Sequence, residues 1–292
     1  MLFKIDFVLL LLFGFNYIID KILKKTVTLF LALFLLINVA FASVDTVSIY
    51  SNAMHKNIKA VVIKPDDYKK GKDFAVVYLL HGAYGNYLNW IKKVPALQTY
   101  ADLYKILIVC PDGLNSWYFD SPIDSTYKFE THISTEVPAY IDANYKTKKD
   151  RKYRAIAGLS MGGHGALFIA FRHAETFGAC GSMSGALNVE AITDGYDVPK
   201  RLGDPQINKA FYHDFSVLTA LEKYPKDSLA IIIDCGLQDF IIGMSTATHE
   251  KMMKLKIPHD YIERPGKHDW FYWANAVQYQ LLFFKNYFEK NK

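Results

Sequence analysis

Cysteine is scarce in this sequence, which contains only Cys110, Cys180 and Cys235 among its 292 residues. The number is odd and the spacing matches no metal-binding motif, so at most one disulfide bond could form. A scaffold that depends on several disulfide bonds is therefore excluded. Each cysteine lies in or beside an apolar run, which predicts buried free thiols.

Several other features are absent as well. The formal net charge is only +5 and no basic stripe is present, so nucleic acid is not a predicted partner. No H-E-x-x-H motif or clustered ligand spacing occurs, so neither a metal ion nor an organic cofactor is implied. After residue 42 the chain has no repeat, low-complexity stretch or Pro/Ser linker, which predicts a single domain over residues 43–292.

Residues 1–42 differ from the rest of the chain. The apolar run Phe7–Ile19 is shorter than a typical membrane-spanning helix, so it is interpreted either as an over-long gene start or as half of a membrane hairpin. It is followed by charged residues, by a second apolar run over Thr26–Ala42, and by an A-x-A pattern that ends at Ala42. This order indicates a signal peptide that is cleaved after Ala42. We therefore expect a secreted or periplasmic protein that meets a membrane only through this leader, if the leader is uncleaved.

Short apolar runs alternate with helix-like segments through residues 43–292. Five runs are almost unbroken, as in parallel strands that helices cover on both faces; they are DFAVVYLLHG, KILIVCPDG, YRAIAGLS, ACGSMSGAL and LAIIIDCG. DTVSIYS, NIKAVVIKP and DYIER are further strand candidates, and LNWIKKVPALQTYADLY is one of the segments with helical spacing. The alternation predicts an α/β fold with a mostly parallel sheet. In such a sheet, the residues of the active site lie in the loops at the carboxyl ends of the strands.

A G-x-S-x-G pattern occupies Gly158–Gly162, with Ser160 at its centre. It follows a strand candidate and precedes the helix-like GGHGALFIAF, which is the strand–turn–helix order of a nucleophile elbow. Such a strained turn needs small neighbours, and Gly158, Gly162 and Gly163 supply them. The pattern predicts that Ser160 is a catalytic nucleophile. The alternative is an ordinary serine in a glycine-rich turn.

A serine hydroxyl needs a general base to become nucleophilic, and the base needs an orienting acid. In this fold the acid and then the histidine follow the serine along the chain. The histidines that lie beyond the helix-like segment GGHGALFIAF are His173, His213, His249, His259 and His268. Only His268 comes after a strand candidate, DYIER, and before the last helix, so we predict that it is the base.

The acid should lie just beyond the preceding strand, where AIIIDCGLQDF offers two aspartates. Asp239 lies past Gly236 in the loop, from which a carboxylate can reach His268. Asp234 is still within the apolar run and is the second candidate; the alternative for it is a hydrogen bond to a neighbouring loop. Asp269 would have to fold back on His268. We therefore predict Asp239 as the acid.

The reaction also needs N–H donors for the developing oxyanion. One is the backbone N–H of Met161, directly after the nucleophile. The other is assigned to Ala83, because HGAYGN follows a buried strand and can turn this N–H inward. His81 in the same segment is interpreted as a structural loop residue.

Aromatic side chains near these loops are candidates for substrate contact. Tyr84, Trp117 and Tyr118 are candidate substrate-binding residues, because an aromatic wall suits a feruloyl ring or a sugar face. The alternative for Trp117 and Tyr118 is that both pack under the loop. Trp270 and Trp273 follow the base and are interpreted as packing residues. The stretch between SMSGAL and LAIIID is polar and partly helical, and it could form a small cap.

The sequence resembles an esterase family of α/β-hydrolases from about Val47 to Phe288. The motifs that carry the resemblance are YLLHGAYGN, PDGLNSWYFDSP, IAGLSMGGHGAL, DCGLQDF and YIERPGKHDWFYW. The family includes S-formylglutathione hydrolase (esterase D), tributyrin esterases, feruloyl and acetyl-xylan esterases, and mycolyltransferases. The resemblance implies the α/β-hydrolase fold and gives Ser160, Asp239 and His268 the triad roles and Ala83 and Met161 the oxyanion roles.

The resulting hypothesis is an exported serine carboxylesterase that acts on short-chain acyl, acetyl or feruloyl esters, either small molecules or esters linked to polysaccharide. One alternative is an acyltransferase of the same family, which uses the same triad. Another is an S-formylglutathione hydrolase-like thioesterase, against which the leader argues. A binding protein on an inactive hydrolase fold is a fourth possibility, and the complete set of serine, acid and base weighs against it.

Overall fold

The computed structural model describes residues 21, 24–26, 44–70, 73–224 and 229–291. The predicted leader and its cleavage site after Ala42 lie outside these residues, except for residues 21 and 24–26. Among the described residues, no helix has both the length and the apolar character needed to cross a membrane. The following account concerns the compact unit Val44–Lys292.

Eight strands form one sheet in this unit. In chain order they are β1 (Val44–Ser51), β2 (Lys56–Ile63), β3 (Ala75–Leu80), β4 (Ile106–Pro111), β5 (Arg154–Leu159), β6 (Ala179–Met183), β7 (Ala230–Gly236) and β8 (Asp260–Arg264). Their spatial order is β1-β2-β4-β3-β5-β6-β7-β8. The pairs β1–β2 and β2–β4 are antiparallel, and every other neighbouring pair is parallel. The predicted α/β-hydrolase sheet is confirmed.

Helices connect the strands. They are α1 (Asn89–Lys93), α2 (Leu97–Tyr104), α3 (Phe129–Thr131), α4 (Val137–Asn144), α5 (Met161–Arg172), α6 (Val198–Leu202), α7 (Lys209–Asp214), α8 (Val217–Ala220), α9 (Ile242–Leu255) and α10 (Trp270–Lys290). A π-helical turn, His132–Glu136, joins α3 to α4, and Arg151–Tyr153 and Val189–Ala191 are 3-10 turns.

One predicted helical segment is divided in the structure. LNWIKKVPALQTYADLY forms two helices, α1 and α2, that are separated at Val94–Ala96. Pro95 lies in this break, and proline cannot donate the backbone hydrogen bond that a helix interior requires. Apolar spacing alone therefore overstated the length of this helix.

The two faces of the sheet carry separate layers of core. Along β3, Val76, Tyr78 and Leu80 join the layer that contains α5, and Val77 and Leu79 join the layer that contains α10. Strands β3, β4, β5 and β6 are buried at every residue, as their unbroken apolar runs predict. Strand β1 alternates between exposed and less exposed residues, which is typical of an edge strand. All three cysteines are buried free thiols, as predicted.

Parallel pairing places the ends of the important strands together. Leu80 of β3 pairs with Gly158 of β5, and Leu159 pairs with Met183 of β6. Gly236 of β7 pairs with Arg264 of β8. The loops after β3, β5, β7 and β8 therefore all leave the same edge of the sheet.

The first helical residues after β5 lie very close to β3. A Cβ atom on Gly162 would lie 2.5 Å from the carbonyl oxygen of His81 and 2.6 Å from that of Leu80. These neighbours are backbone atoms, so they cannot move aside as a flexible side chain would. Gly243, in the first turn of α9, is a contrasting glycine, since an added Cβ meets no heavy atom within 4 Å.

We expect Gly162→Ala to lower the free energy of unfolding by roughly 2–3 kcal/mol, because the added methyl group forces α5 away from β3. Gly243→Ala is the control and should leave stability unchanged or slightly higher, because alanine is the better helix former. Chemical denaturation of both variants measures the difference. Equal unfolding midpoints would contradict the close packing.

Candidate active site

Ser160 lies in a sharp turn between β5 and α5. Its backbone has φ 54° and ψ −119°, a conformation that is costly for a residue with a side chain. Three hydrogen bonds fix this conformation. The Ser160 N–H donates to the Met183 carbonyl at 3.0 Å, and its own carbonyl accepts from the N–H groups of His164 at 3.0 Å and Ala186 at 3.2 Å. The turn is therefore fixed by its neighbours, as in a nucleophile elbow.

His268 reaches Ser160 from the loop between β8 and α10. Its Nε2 atom lies 3.0 Å from Ser160 Oγ. The imidazole ring packs against two aromatic rings, with centroid distances of 4.9 Å to Trp273 and 4.7 Å to Phe240. The ring is therefore held between apolar neighbours with one nitrogen directed at the serine hydroxyl.

Asp239 contacts the other nitrogen of the same imidazole. His268 Nδ1 lies 3.0 Å from Oδ1 and 2.9 Å from Oδ2 of Asp239. Oδ1 also accepts a 3.0 Å hydrogen bond from the N–H of Ile241. Because an ionised carboxylate only accepts, Nδ1 carries a proton, and in the neutral imidazole Nε2 then presents its lone pair to the Ser160 hydroxyl.

The environment of Asp239 keeps its carboxyl group ionised. Burial raises its pKa, but the hydrogen bonds from His268 and from the Ile241 N–H outweigh burial, so the pKa lies below the ordinary value. The structure thus brings together the predicted serine, histidine and aspartate in one hydrogen-bonded chain.

The two other aspartates that the sequence offers are used differently. Asp234 is buried and receives hydrogen bonds from Arg264 and from the Tyr272 hydroxyl. Burial raises the pKa of Asp234 despite these partners. Asp269 caps α10, where its carboxylate accepts from the N–H of Tyr272 at 2.9 Å.

The remaining histidines after the motif have partners away from the serine. His173 bonds Glu130 at 3.0 Å, His213 bonds Glu190 at 2.7 Å, and His249 and His259 bond each other at 2.8 Å. His164, on the nucleophile helix, donates through Nε2 to the Phe215 carbonyl at 2.9 Å. Burial lowers the pKa of His164 to about 3, so it is neutral and links α5 to the segment between β6 and β7.

The loop after β3 lies against Ser160. A Cβ on Gly82 would be 3.3 Å from Ser160 Cβ, and the N–H of Gly85 closes a turn on the Gly82 carbonyl at 3.1 Å. Ala83 lies inside this turn, and both Ala83 and Met161 line the cavity that contains Ser160. These are the positions predicted for the oxyanion donors, and the assignment of that role remains a proposal.

His81 anchors this loop, as the sequence predicts. Its Nε2 accepts a hydrogen bond from the N–H of Gly113 at 2.8 Å, so the proton is on Nδ1, which donates to the Gly82 carbonyl at 2.8 Å. The imidazole thereby ties the loop after β3 to the loop after β4.

A cavity of about 570 Å³ opens at Ser160. Besides Ser160, His268, Ala83 and Met161, its lining includes Gly82, Tyr84, Gly85, Asn89, Trp117, Leu159, Ala186, Ala191, Ile192, Asp194, Gly195, Tyr196, Phe240, Ile241, Met244, Trp270 and Trp273. Residues 191–196 belong to the segment that was expected to form a cap. The sequence reasoning did not single out Asp194, Tyr196 or Phe240, although Phe240 directly follows the predicted acid.

The predicted substrate contacts divide into two groups. Tyr84 is 69% exposed and lines the cavity, and Trp117 lines it with only a small exposed surface. Tyr118 is fully buried, its hydroxyl donates to the His81 carbonyl at 3.0 Å, and it is absent from the cavity wall. The prediction that Tyr118 contacts substrate is therefore wrong, because the ring fills the space beside Gly113 and Gly165.

The two tryptophans that follow His268 pack against neighbouring rings and line the cavity. Trp270 packs edge-on against Trp90 at 5.3 Å and against Trp273 at 5.4 Å, in agreement with the packing interpretation. Both Trp270 and Trp273 also line the cavity. The same two side chains therefore pack against neighbouring rings and form part of the cavity wall.

Comparison with known proteins identifies the family. Residues 51–284 match the family model described as "Putative esterase". The chain belongs to this esterase family. It is a serine hydrolase of the carboxylic ester hydrolase class, and the predicted membership is confirmed.

Individual relatives support the assignment. An acetyl esterase of Caldicellulosiruptor saccharolyticus is 26% identical over 261 residues, which cover 80% of this chain and 96% of that protein. The solved structure of a ferulic acid esterase is 28% identical, with a TM-score of 0.73 over 84% of this chain and 98% of that one. A diacylglycerol acyltransferase/mycolyltransferase Ag85A of Mycobacterium gordonae is 32% identical over 154 residues, 50% of this chain and 43% of that protein.

Two of the buried aspartates of this esterase, Asp239 and Asp234, allow a direct test. Asp239→Asn should lower kcat for p-nitrophenyl acetate by about 10⁴-fold, because the amide no longer holds His268 in the required tautomer. Asp234→Asn is the control. It should cost about 3 kcal/mol of stability by weakening the ion pair with Arg264, and it should lower kcat by much less. A larger loss of kcat in Asp234→Asn would contradict the assignment of the acid.

Proposed function

We propose that this esterase hydrolyses its substrates through Ser160, His268 and Asp239, with an acyl-enzyme intermediate. The observation that carries the proposal is the continuous hydrogen-bonded chain from Asp239 through His268 to Ser160 Oγ at the wall of an open cavity. In this arrangement His268 can accept the proton of the Ser160 hydroxyl, and Asp239 can stabilise the resulting imidazolium, without a movement of the loops that carry them.

In the first half-reaction, Ser160 Oγ attacks the ester carbonyl carbon while His268 Nε2 accepts the hydroxyl proton. The N–H groups of Met161 and Ala83 donate to the oxyanion that forms. Collapse of the tetrahedral intermediate breaks the bond to the alcohol, which receives the proton from His268. Asp239 stays ionised and stabilises the imidazolium between these two transfers.

In the second half-reaction, water replaces the alcohol. His268 accepts a proton from water as its oxygen attacks the acyl carbon, and the same N–H groups stabilise the second oxyanion. The bond between the acyl carbon and Ser160 Oγ then breaks, and Oγ takes the proton back from His268. The products are a carboxylic acid and free enzyme.

The proposed substrate is an acetyl, other short-chain or feruloyl ester, either as a small molecule or attached to polysaccharide. An acetyl esterase and a ferulic acid esterase are among the relatives that cover most of this chain. The apolar wall formed by Trp270, Trp273 and Phe240 suits an acyl group that carries a ring. We also propose export, because residues 1–42 have the pattern of a signal peptide with cleavage after Ala42. The same leader argues against a cytosolic S-formylglutathione hydrolase-like role.

Acyl transfer to another alcohol is the second candidate function. The similarity to an acyltransferase over 50% of this chain favours it. Its chemistry differs only in the nucleophile that attacks the acyl-enzyme, so the residues assigned above would serve both reactions.

We expect purified protein to hydrolyse p-nitrophenyl acetate and to be labelled by a fluorophosphonate probe. Ser160→Ala should abolish both, because the attacking oxygen is removed, and Ser125→Ala, which changes an exposed serine, should retain both. Measuring kcat/KM for acetyl, butyryl and feruloyl esters then ranks the acyl groups. Retention of most activity or labelling in Ser160→Ala would reject the assignment of the nucleophile.

Product analysis separates hydrolysis from transfer. With glycerol or xylose added as an acceptor, we expect free acetate to remain the main product, because the cavity is open to water. Chromatography of the reaction mixture measures the ratio of acetate to acetylated acceptor. A dominant acetylated product would favour the acyltransferase instead.

A further inference from the structure

The loops that carry Asp239 and His268 extend beyond the paired part of their strands. The pairing of β7 with β8 ends at Gly236 and Arg264. Asp239 follows Gly236 by three residues, and His268 follows Arg264 by four. Strand pairing alone therefore does not fix the distance between the two side chains, and contacts between the loops must contribute.

Gln238 binds both backbone polar groups of one residue in the other loop. Its N–H donates to the Gly266 carbonyl at 2.9 Å, and its side-chain Oε1 accepts from the Gly266 N–H at 2.8 Å. Because the partner of the side chain is a donor, only the amide oxygen of Gln238 can occupy this position. The side chain therefore supplies the acceptor that a neighbouring strand supplies within a sheet.

Gly266 is also confined by β7 and α10. A Cβ on Gly266 would lie 2.1 Å from the Tyr272 ring, and a Cβ on Gly236 would lie 2.4 Å from the Gly266 carbonyl oxygen. The φ angle of Gly266 is 155°, in a region that favours glycine. Gln238 therefore binds a residue that has a defined place between β7 and α10.

Gln238 and Gly266 are close in the chain to the proposed acid and base. Gln238 directly precedes Asp239, and Gly266 precedes His268 by two residues. A shift of one loop against the other would change the distances of 2.9 and 3.0 Å between His268 Nδ1 and the Asp239 carboxylate. Gln238 is exposed, whereas Asp239 is buried, so replacing the glutamine removes no core packing.

We propose that Gln238 is a positioning residue of the triad, whose side-chain oxygen holds Gly266, and through it His268, at the distance from Asp239 that proton transfer requires. Gln238 is not one of the described residues that line the cavity, so it acts through the two loops and not by contact with the substrate. This inference rests on the function proposed above, because it concerns the acid and the base of that reaction.

Two substitutions of similar length separate the acceptor from the bulk of the side chain. Gln238→Met removes the acceptor, so it should lower kcat for p-nitrophenyl acetate by about three- to tenfold, the effect of one hydrogen bond, with little change in KM. Gln238→Glu should keep kcat within about twofold, because a carboxylate oxygen accepts from the same Gly266 N–H. Steady-state kinetics measure both constants, and chemical denaturation shows that each variant is folded.

Gln206→Met is the matched control, because it removes an exposed glutamine amide from the segment between β6 and β7. It should retain both kcat and KM. An unchanged kcat in Gln238→Met would overturn the proposal, and so would equal losses in Gln238→Met and Gln238→Glu. Neither result would affect the proposed function if Ser160→Ala is inactive. If the unmodified protein neither hydrolyses p-nitrophenyl acetate nor reacts with a fluorophosphonate, the role of Ser160 fails, and the role of Gln238 fails with it.

Discussion

The close approach of α5 to β3 and β5 is the constraint on which the rest of the site depends. A Cβ on Gly158 would lie 2.3 Å from the carbonyl oxygen of Gly162, so neither residue can carry a side chain without opening the turn. Ser160 is held at positive φ because the chain must reverse within this narrow space. The turn leaves the serine hydroxyl at the cavity. It also places Met161 at the first position of α5, where a backbone N–H has no partner within the helix and is free to bind another acceptor.

Asp239 and His268, the proposed acid and base, form a second unit (the acid–base unit) that continues the pairing of β7 with β8. The Leu237 N–H donates to the Arg264 carbonyl at 2.9 Å, and the Gln238 N–H donates to the Gly266 carbonyl at 2.9 Å. The Gln238 side chain accepts from the Gly266 N–H at 2.8 Å. These bonds set the distance between the two loops before Asp239 and His268 meet. The serine turn and the acid–base unit then need only one contact, from His268 Nε2 to Ser160 Oγ, to complete the chain.

The sequence predicted the parts of the structure that follow from chain order and hydrophobicity. Buried parallel strands are apolar throughout, so β3 to β7 could be recognised, and the carboxyl end of β8 selected His268 among the histidines. The sequence could not show which of the adjacent Trp117 and Tyr118 faces the cavity. That choice depends on Gly165 of α5, where a Cβ would lie 2.5 Å from the Tyr118 ring, and this contact joins residues almost fifty positions apart. Asp194 and Tyr196 were missed because no local pattern marks a residue whose role arises only where the segment between β6 and β7 meets distant loops.

The loops after the strands and the segment between β6 and β7 contribute different parts of the cavity. The residues of the proposed triad lie on loops that follow paired strands, whereas residues 191–196 belong to the segment between β6 and β7. Hydrogen bonds that join this segment to other parts of the unit include the bond from His164 to the Phe215 carbonyl and the bond from Trp117 to the Tyr196 carbonyl. Substitutions at residues 191–196 can therefore change the cavity wall without replacing a residue of the proposed triad. We expect the wall of the cavity, and not the proposed triad, to decide whether water or another alcohol attacks the acyl-enzyme, because both nucleophiles would use the same three residues.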